Sequence, residues 1–333
     1  MNLNSIGLLG ATGAVGREMI RLLEEYELPI RELRPLASRR SAGTQIPFRG
    51  ALLPVREATE EAFRGLDFVL GAVEAEQSRH FAPMIRAAGA IYIDNSSAFR
   101  LEPEVPLVVP EINGADAFGH RGVIANPNCS TVIALMACAP IASLSPIRHI
   151  SACTYQAVSG AGQAGLEELE RELRAHAEGE SAEPRVFPAP IAMNLIPMIG
   201  SLTENGYTDE EMKMQNEGRR ILHAPELLVN CSCVRVPVLR SHAIALTVET
   251  ADAVSPEEAR AAIRSFPGVR LALDEAGRDW PTPLDTTGGD PVWVGRIRRD
   301  YTRANSLSLF CCGDQIRKGA AANAVQILRL LTE

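Results

Sequence analysis

The sequence predicts an α/β protein: a Rossmann-type doubly wound parallel sheet joined to an α+β part with a mixed, largely antiparallel sheet. Short apolar strands alternate with helices as far as Ala125, the pattern of a parallel sheet. A glycine turn, Gly10-x-x-Gly13-x-x-Gly16, follows the first strand and opens the first helix. Beyond Asn128 the strands lengthen and take on period-two alternation, the mark of a half-solvated sheet.

In chain order, Ser5–Leu9 reads as the first strand and the helix after the glycine turn runs to about Tyr26, with Val15, Met19, Leu22 and Leu23 facing the core. Leu33–Ala37, Asp67–Ala72, Ala90–Ile93, Leu107–Val109 and Val123–Ala125 read as further strands, with a helix through Phe81–Ala88. A helix follows Cys129. Strands are then expected at His149–Ala157, Leu228–Val238, His242–Thr250 and Val292–Arg298, and helices at Gln163–His176, Asp209–Leu222 and Pro256–Ser265. The last stretch, Gln315–Leu331, reads as a helix returning to the first domain. The expected division is therefore 1–128 plus 315–333 for nucleotide binding and 129–314 for catalysis and dimerisation.

The 333 residues are enough for two domains. With 46% hydrophobic and 22% charged residues, the composition excludes a mainly disordered or fibrous chain. A net charge of −8 argues against a general nucleic-acid coat and a polybasic membrane binder. Seven cysteines, an odd number, and no basic leader over Met1–Gly16 lead us to expect a reducing, cytoplasmic setting. Cys231, Cys233, Cys311 and Cys312 lack zinc-ligand spacing and read as strand residues; Cys138 and Cys153 read as small buried hydrophobes. No metal motif stands out, and His80, His120, His149, His176 and His223 read as structural or surface residues. Gly122–Ile147 carries no charge, but Asn126, Pro127, Asn128, Pro140 and Pro146 interrupt it, so a buried helix behind a site is expected rather than a membrane span.

Two motifs carry chemistry. In Gly10-Ala11-Thr12-Gly13-Ala14-Val15-Gly16 the glycines permit a tight turn and close approach of a pyrophosphate to the helix N-terminus. The second strand then runs into Ser38-Arg39-Arg40-Ser41-Ala42-Gly43. Guanidinium forks and hydroxyls there suit a 2′-phosphate, which predicts NADP(H) over NAD(H). The second motif is Asn126-Pro127-Asn128-Cys129-Ser130-Thr131 before an uncharged helix. A cysteine at a helix N-terminus is favoured as thiolate, and the free N–H groups there suit an oxyanion. A nucleophilic thiol beside NADP(H) predicts a thioester that a hydride reduces to an aldehyde.

These residues, with Asp94–Arg100 (DNSSAFR), Val105–Glu111 (VPLVVPE), Thr154–Gly162 (TYQAVSGAG), Glu210–Met214, Val234–Pro237, Gly295–Arg298 and Lys318–Ala321, resemble the aspartate-semialdehyde dehydrogenase family over essentially the whole chain. The resemblance implies NADPH-dependent reduction of L-aspartyl-4-phosphate to L-aspartate 4-semialdehyde with release of phosphate, in lysine, threonine and methionine synthesis, by a homodimer. It implies Cys129 as nucleophile, His242 as acid/base and Gln156 as the residue orienting substrate. It assigns the α-carboxylate to Arg235, the α-ammonium to Glu210, and the phosphate side to Lys213, Arg100 and Asn128. Gly10, Thr12, Gly13, Ala14, Val15, Ser38, Arg40 and Ser41 fall to the cofactor, with Ser159, Gly160 and Asn323 by the nicotinamide. If Val234–Val238 and His242–Thr250 form a hairpin, Arg235 and His242 share one end of it. One departure stands out: Ala72-Val73-Glu74-Ala75 replaces the family's Ser-Ala-Gly-Gly loop near the cofactor, which leads us to expect weaker NADPH binding. Two other readings remain open on sequence alone, an N-acetyl-γ-glutamyl-phosphate reductase and a non-catalytic NADP-binding relative.

Overall fold

Most strands of the first sheet are buried on both faces, which is why they read as short apolar runs. The computed structural model describes residues 4–273 and 276–332. They divide into two units, one of residues 1–128 with 320–333 and the other of residues 129–319.

In the first unit the elements are β1 (Asn4–Leu9), α1 (Ala14–Glu25), β2 (Ile30–Ala37), β3 (Gln45–Phe48), β4 (Ala51–Pro54), β5 (Arg56–Glu57), β6 (Phe68–Gly71), α2 (Ala75–Ala87), β7 (Ile91–Asp94), α3 (Pro110–Asn113) and β8 (Val123–Ala125). The parallel sheet has the order β5-β2-β1-β6-β7-β8, and β3 and β4 form a separate hairpin. Met19, Leu22 and Leu23 of α1 pack one face of it together with Val325, Ile327 and Leu328 from the end of the chain. Ala82 and Ile85 of α2 pack the other, against Leu9, Val69 and Tyr92. Leu107–Val109 is not a strand: Pro106 and Pro110 bracket it, and its pairing stops at a single bridge from Leu107 to Ala125. The helix expected from Phe81 starts earlier, at Ala75, and passes through Pro83.

The second unit holds α4 (Cys129–Ala142), β9 (Ile147–Gln156), α5 (Gly162–Ala177), α6 (Asp209–Ile221), β10 (Leu228–Arg235), β11 (His242–Thr250), α7 (Pro256–Ser265), β12 (Val269–Leu271), α8 (Pro283–Thr286), β13 (Val292–Arg299) and β14 (Ser306–Gly313). Its sheet, ordered β10-β9-β11-β14-β13-β12, is parallel at its two outer pairs and antiparallel in the middle. α4 is apolar all round and buried from Ser130 to Ile141, packed on α6, α7 and the sheet. No helix of the described residues is long and apolar enough to cross a membrane.

The chain re-enters the first unit at Ala320, later than the expected 315. Asp314 Oδ1 accepts the Ile316 and Arg317 N–H groups, and Gln315 bonds Ser241 N and Ser159 Oγ, which keeps this stretch in the second unit. A π-helical turn at Arg317–Ala321 follows, and then α9 (Ala322–Thr332).

Candidate active site

Strand order gathers the chemistry of the second unit at one end of its sheet. Parallel pairing sets Arg235, the last residue of β10, opposite Gln156, the last of β9. β11 runs antiparallel to β9, so His242, its first residue, begins at that same end. The expected hairpin is not formed, because β9 lies between β10 and β11. Arg235 and His242 still meet, since a strand parallel to one neighbour and antiparallel to the other brings the end of the first beside the start of the second.

Cys129 is the first residue of α4, and its Sγ lies 3.6 Å from His242 Nε2. His242 is fully buried, and its Nδ1 accepts the Ala157 N–H at 3.1 Å. A neutral ring therefore carries its proton on Nε2, the atom facing the sulfur. Burial, then the positive charge of Arg235, pushes the imidazole down to about 3. The ring is neutral near pH 7 rather than poised between two states, and it offers an N–H to the sulfur or to an oxyanion formed beside it.

Gln156 is fixed by Thr154 Oγ1, which donates to its Oε1 at 3.0 Å, and its Nε2 donates to Glu210 Oε1 at 3.2 Å. Glu210 stands in the first turn of α6, where the Thr208–Glu211 capping box starts the helix. Lys213 donates to Glu210 Oε2 at 2.9 Å and sits 3.2 Å from Asp209 Oδ2. Burial lowers the Lys213 pKa, but these two carboxylates more than offset it, so the ammonium is held. Arg235 is buried, donates from Nη1 to Ala157 O at 2.7 Å and lies over Phe187, 5.8 Å from the ring centre. A Cβ on Gly160 would stand 2.7 Å from that Nη1 and 3.5 Å from His242 Cε1; on Gly319 it would stand 2.8 Å from Cys129 Cβ. Both glycines are there for close approach.

In the first unit, Arg100 donates from Nε to Asn126 O and from Nη2 to Asn95 O, both at 2.9 Å. Asn128 is buried. A cavity of ≈ 490 Å³ is walled by Gly10, Thr12, Gly13, Ser38, Arg39, Arg40 and Ser41, with Ala72, Val73, Gln77 and Phe81, and with Glu57 as the one carboxylate in its wall among the described residues. Gly10 has φ 84°, and a Cβ there would run into Ala72 O. No side chain caps α1 at this end. Ala14 and Val15 begin α1 and are not part of the wall, and neither are Ser159, Gly160 and Asn323. Asn323 Nδ2 instead donates to Asn126 Oδ1 at 2.7 Å and Val108 O at 2.9 Å. Glu74 is exposed at the N-cap of α2 and its side chain lies outside the wall.

Two family models match most of the chain: semialdehyde dehydrogenase, NAD binding domain, over residues 5–120, and semialdehyde dehydrogenase, dimerisation domain, over residues 138–318. The chain is 48% identical to the aspartate-semialdehyde dehydrogenase of Synechocystis over 98% of its own length and 97% of that protein's. The chain belongs to the aspartate-semialdehyde dehydrogenase family. The Bacillus subtilis aspartate-semialdehyde dehydrogenase is 42% identical over 98% of this chain and 96% of its own. Aspartate semialdehyde dehydrogenase II of Vibrio cholerae, solved in complex with ASA, superposes with a TM-score of 0.97 at 40% identity, covering 100% of this chain and 99% of that one.

Several residues of this aspartate-semialdehyde dehydrogenase family member escape sequence reading. Phe187 is one. Glu168 of α5 accepts the N–H groups of Arg185, Val186 and Phe187 at 2.7, 2.7 and 3.0 Å, and so seats that ring at Arg235. No local pattern announces a carboxylate that clasps a loop. Gln77 and Phe81 of the cavity wall lie four residues apart on one face of α2 and belong to no motif that marks a cofactor site. The Ala157 N–H that sets the His242 tautomer belongs to backbone, which no residue type reveals.

Proposed function

We propose that the chain is an NADP-dependent, phosphorylating aspartate-semialdehyde dehydrogenase, reducing L-aspartyl-4-phosphate to L-aspartate 4-semialdehyde with release of phosphate. The reaction would serve lysine, diaminopimelate, threonine and methionine synthesis in the cytoplasm. One observation carries the reading: a cysteine sulfur at a helix N-terminus, 3.6 Å from a buried neutral imidazole, beside Gln156, Arg235 and Glu210.

Cys129 attacks the acyl carbon as its thiolate, the state favoured at a helix N-terminus; phosphate leaves with the bonding electron pair, and a Cys129 thioester remains. Each tetrahedral oxygen takes a hydrogen bond from His242 Nε2 and from the N–H groups opening α4. Collapse of the second adduct expels the thiolate and frees the aldehyde. Gln156 orients the acyl group. Arg235 receives the α-carboxylate, Glu210 the α-ammonium, and Lys213 with Arg100 and Asn128 the phosphate.

The first unit's cavity suits NADP(H): an uncapped helix start, a glycine with no room for a side chain, and two arginines against one carboxylate. Gly10, Thr12, Gly13, Ser38, Arg40 and Ser41 would hold it there, with Ser159, Gly160 and Asn323 on the nicotinamide side. When bound, NADPH supplies the hydride that reduces the acyl carbon. The dimerisation-domain match supports a homodimer.

The test is NADPH absorbance with L-aspartate 4-semialdehyde, inorganic phosphate and NADP⁺. We expect turnover, a lower KM for NADP⁺ than for NAD⁺, and a fall of about 10⁴-fold or more in Cys129→Ala. No turnover from folded protein defeats the function, and full activity in the variant defeats the mechanism.

A further inference from the structure

β7 carries Tyr92 and Asp94 two residues apart, so both side chains leave the same face of the first sheet, and both are fully buried. A phenol there needs room and partners. Room comes from Gly71 at the end of β6, where a Cβ would stand 2.7 Å from Tyr92 Cζ. Partners come from two sides: Ser78 Oγ of α2 at 3.0 Å and Asp94 Oδ1 at 3.2 Å. Burial first, then the charge of Asp94, raises the Tyr92 pKa well above its usual value, so the hydroxyl stays a donor. It donates to Asp94, which leaves Ser78 to donate to the phenol oxygen.

Asp94 in turn shapes the segment that follows. Its Oδ1 accepts Ser96 N at 3.1 Å, its Oδ2 accepts Ser96 Oγ at 2.7 Å, and Ser96 Oγ accepts Ala98 N at 3.1 Å. Arg79, next to Ser78 on α2, donates to Ala98 O at 2.7 Å. The segment ends at Arg100, whose fork is aligned in part by the carbonyl of Asn95, the first residue after Asp94. The conformation set by Asp94 therefore directs the guanidinium.

We propose that Tyr92 is a positioning residue for anion recognition: its hydroxyl, bridging Ser78 of α2 to Asp94, holds the Asn95–Arg100 turn so that Arg100 meets the phosphate. The inference rests on the proposed role of Arg100 as a phosphate ligand. A phenylalanine would fill the same space and keep the packing, so the oxygen is the part of the side chain that does the positioning. α2 is thereby tied to the anion turn on one side while its Gln77 and Phe81 wall the cofactor cavity on the other.

The test compares Arg100→Ala, Tyr92→Phe and Ser78→Ala by steady-state kinetics in the phosphate-consuming direction, and by calorimetric titration of inorganic phosphate into the protein with and without NADP⁺. Arg100→Ala is expected to raise the KM for phosphate by about tenfold or more. Tyr92→Phe should raise it by about three- to tenfold, more than it changes kcat or the KM for NADP⁺, and weaken phosphate binding in parallel. Ser78→Ala should act in the same direction and less, because Tyr92 keeps its bond to Asp94. If Arg100→Ala moves the phosphate constants and Tyr92→Phe does not, the relay is wrong. If Tyr92→Phe lowers kcat and raises every KM alike with a fall in melting temperature, the role is merely structural and the proposal is overturned. If Arg100→Ala leaves phosphate unaffected, the assignment of Arg100 itself is what fails.

Discussion

His242 is sealed from solvent with one ring nitrogen already satisfied, and both facts act on its proton. The imidazole's ordinary value of 6.5 falls to about 3 in the fold, chiefly through burial. Between these two values the unfolded chain binds a proton that the folded chain does not. The stability tied to the neutral ring is therefore complete above about pH 6.5 and lost as pH falls towards 3, at up to about 1.4 kcal/mol per pH unit. We expect the urea midpoint to drop between about pH 6.5 and pH 4.5, and His242→Gln to show a shallower drop. Equal slopes in the two proteins would mean that the ring is charged in the fold. The candidacy of this residue was legible from the family resemblance, but its protonation state was not. That state depends on the Ala157 N–H and on Arg235, which lie far from it in the chain and arrive by strand pairing.

Among the elements, legibility follows the range of the interactions that form them. The glycine turn, α1, β11 and α7 are set by local periodicity, capping and turn residues, and their limits are close to those expected. β14 and β12 were missed, since a strand such as Ser306–Gly313 is defined by β11 and β13 on its two sides. The hairpin expected of β10 and β11 failed for the same reason: adjacency in sequence does not specify adjacency in a sheet. What the junction of β9, β10 and β11 demands is small residues nearby. Gly160→Ala would press a methyl against Arg235 Nη1 and crowd His242. We expect kcat/KM for the semialdehyde to fall by about a hundredfold with little loss of melting temperature. A variant with unchanged kinetics would show that Arg235 has room to shift, and would weaken its assignment to the α-carboxylate.

At the scale of the molecule, the second unit's sheet is covered by α4, α6 and α7 on one face and half exposed on the other. Ser151, Cys153 and Tyr155 of β9, Thr247 of β11, and Ser308 and Phe310 of β14 line that open face, where the Tyr155 and Phe310 rings lie 6.3 Å apart. This face, with its aromatic pair, is where we expect a second copy to dock about a twofold axis, each substitution then appearing twice in the contact. We expect the protein to sediment as a dimer and Tyr155→Lys as a monomer at micromolar concentrations. A monomeric parent would refute the assembly, and a dimeric variant would move the interface elsewhere. The net charge of −8 conceals the proposed partners, which are anions met by Arg40, Arg100, Lys213 and Arg235 from distant parts of the chain. The α/β class, the glycine turn, the family and the residue types of the site are legible from the order of residues alone, because these rest on short spacings and on matching motifs. The fold supplies the rest: β9 separates β10 from β11, His242 is neutral with its proton on Nε2, and Tyr92 links α2 to the Arg100 turn. Each of these depends on pairing, burial and hydrogen bonds between residues far apart in the chain, which no local pattern encodes.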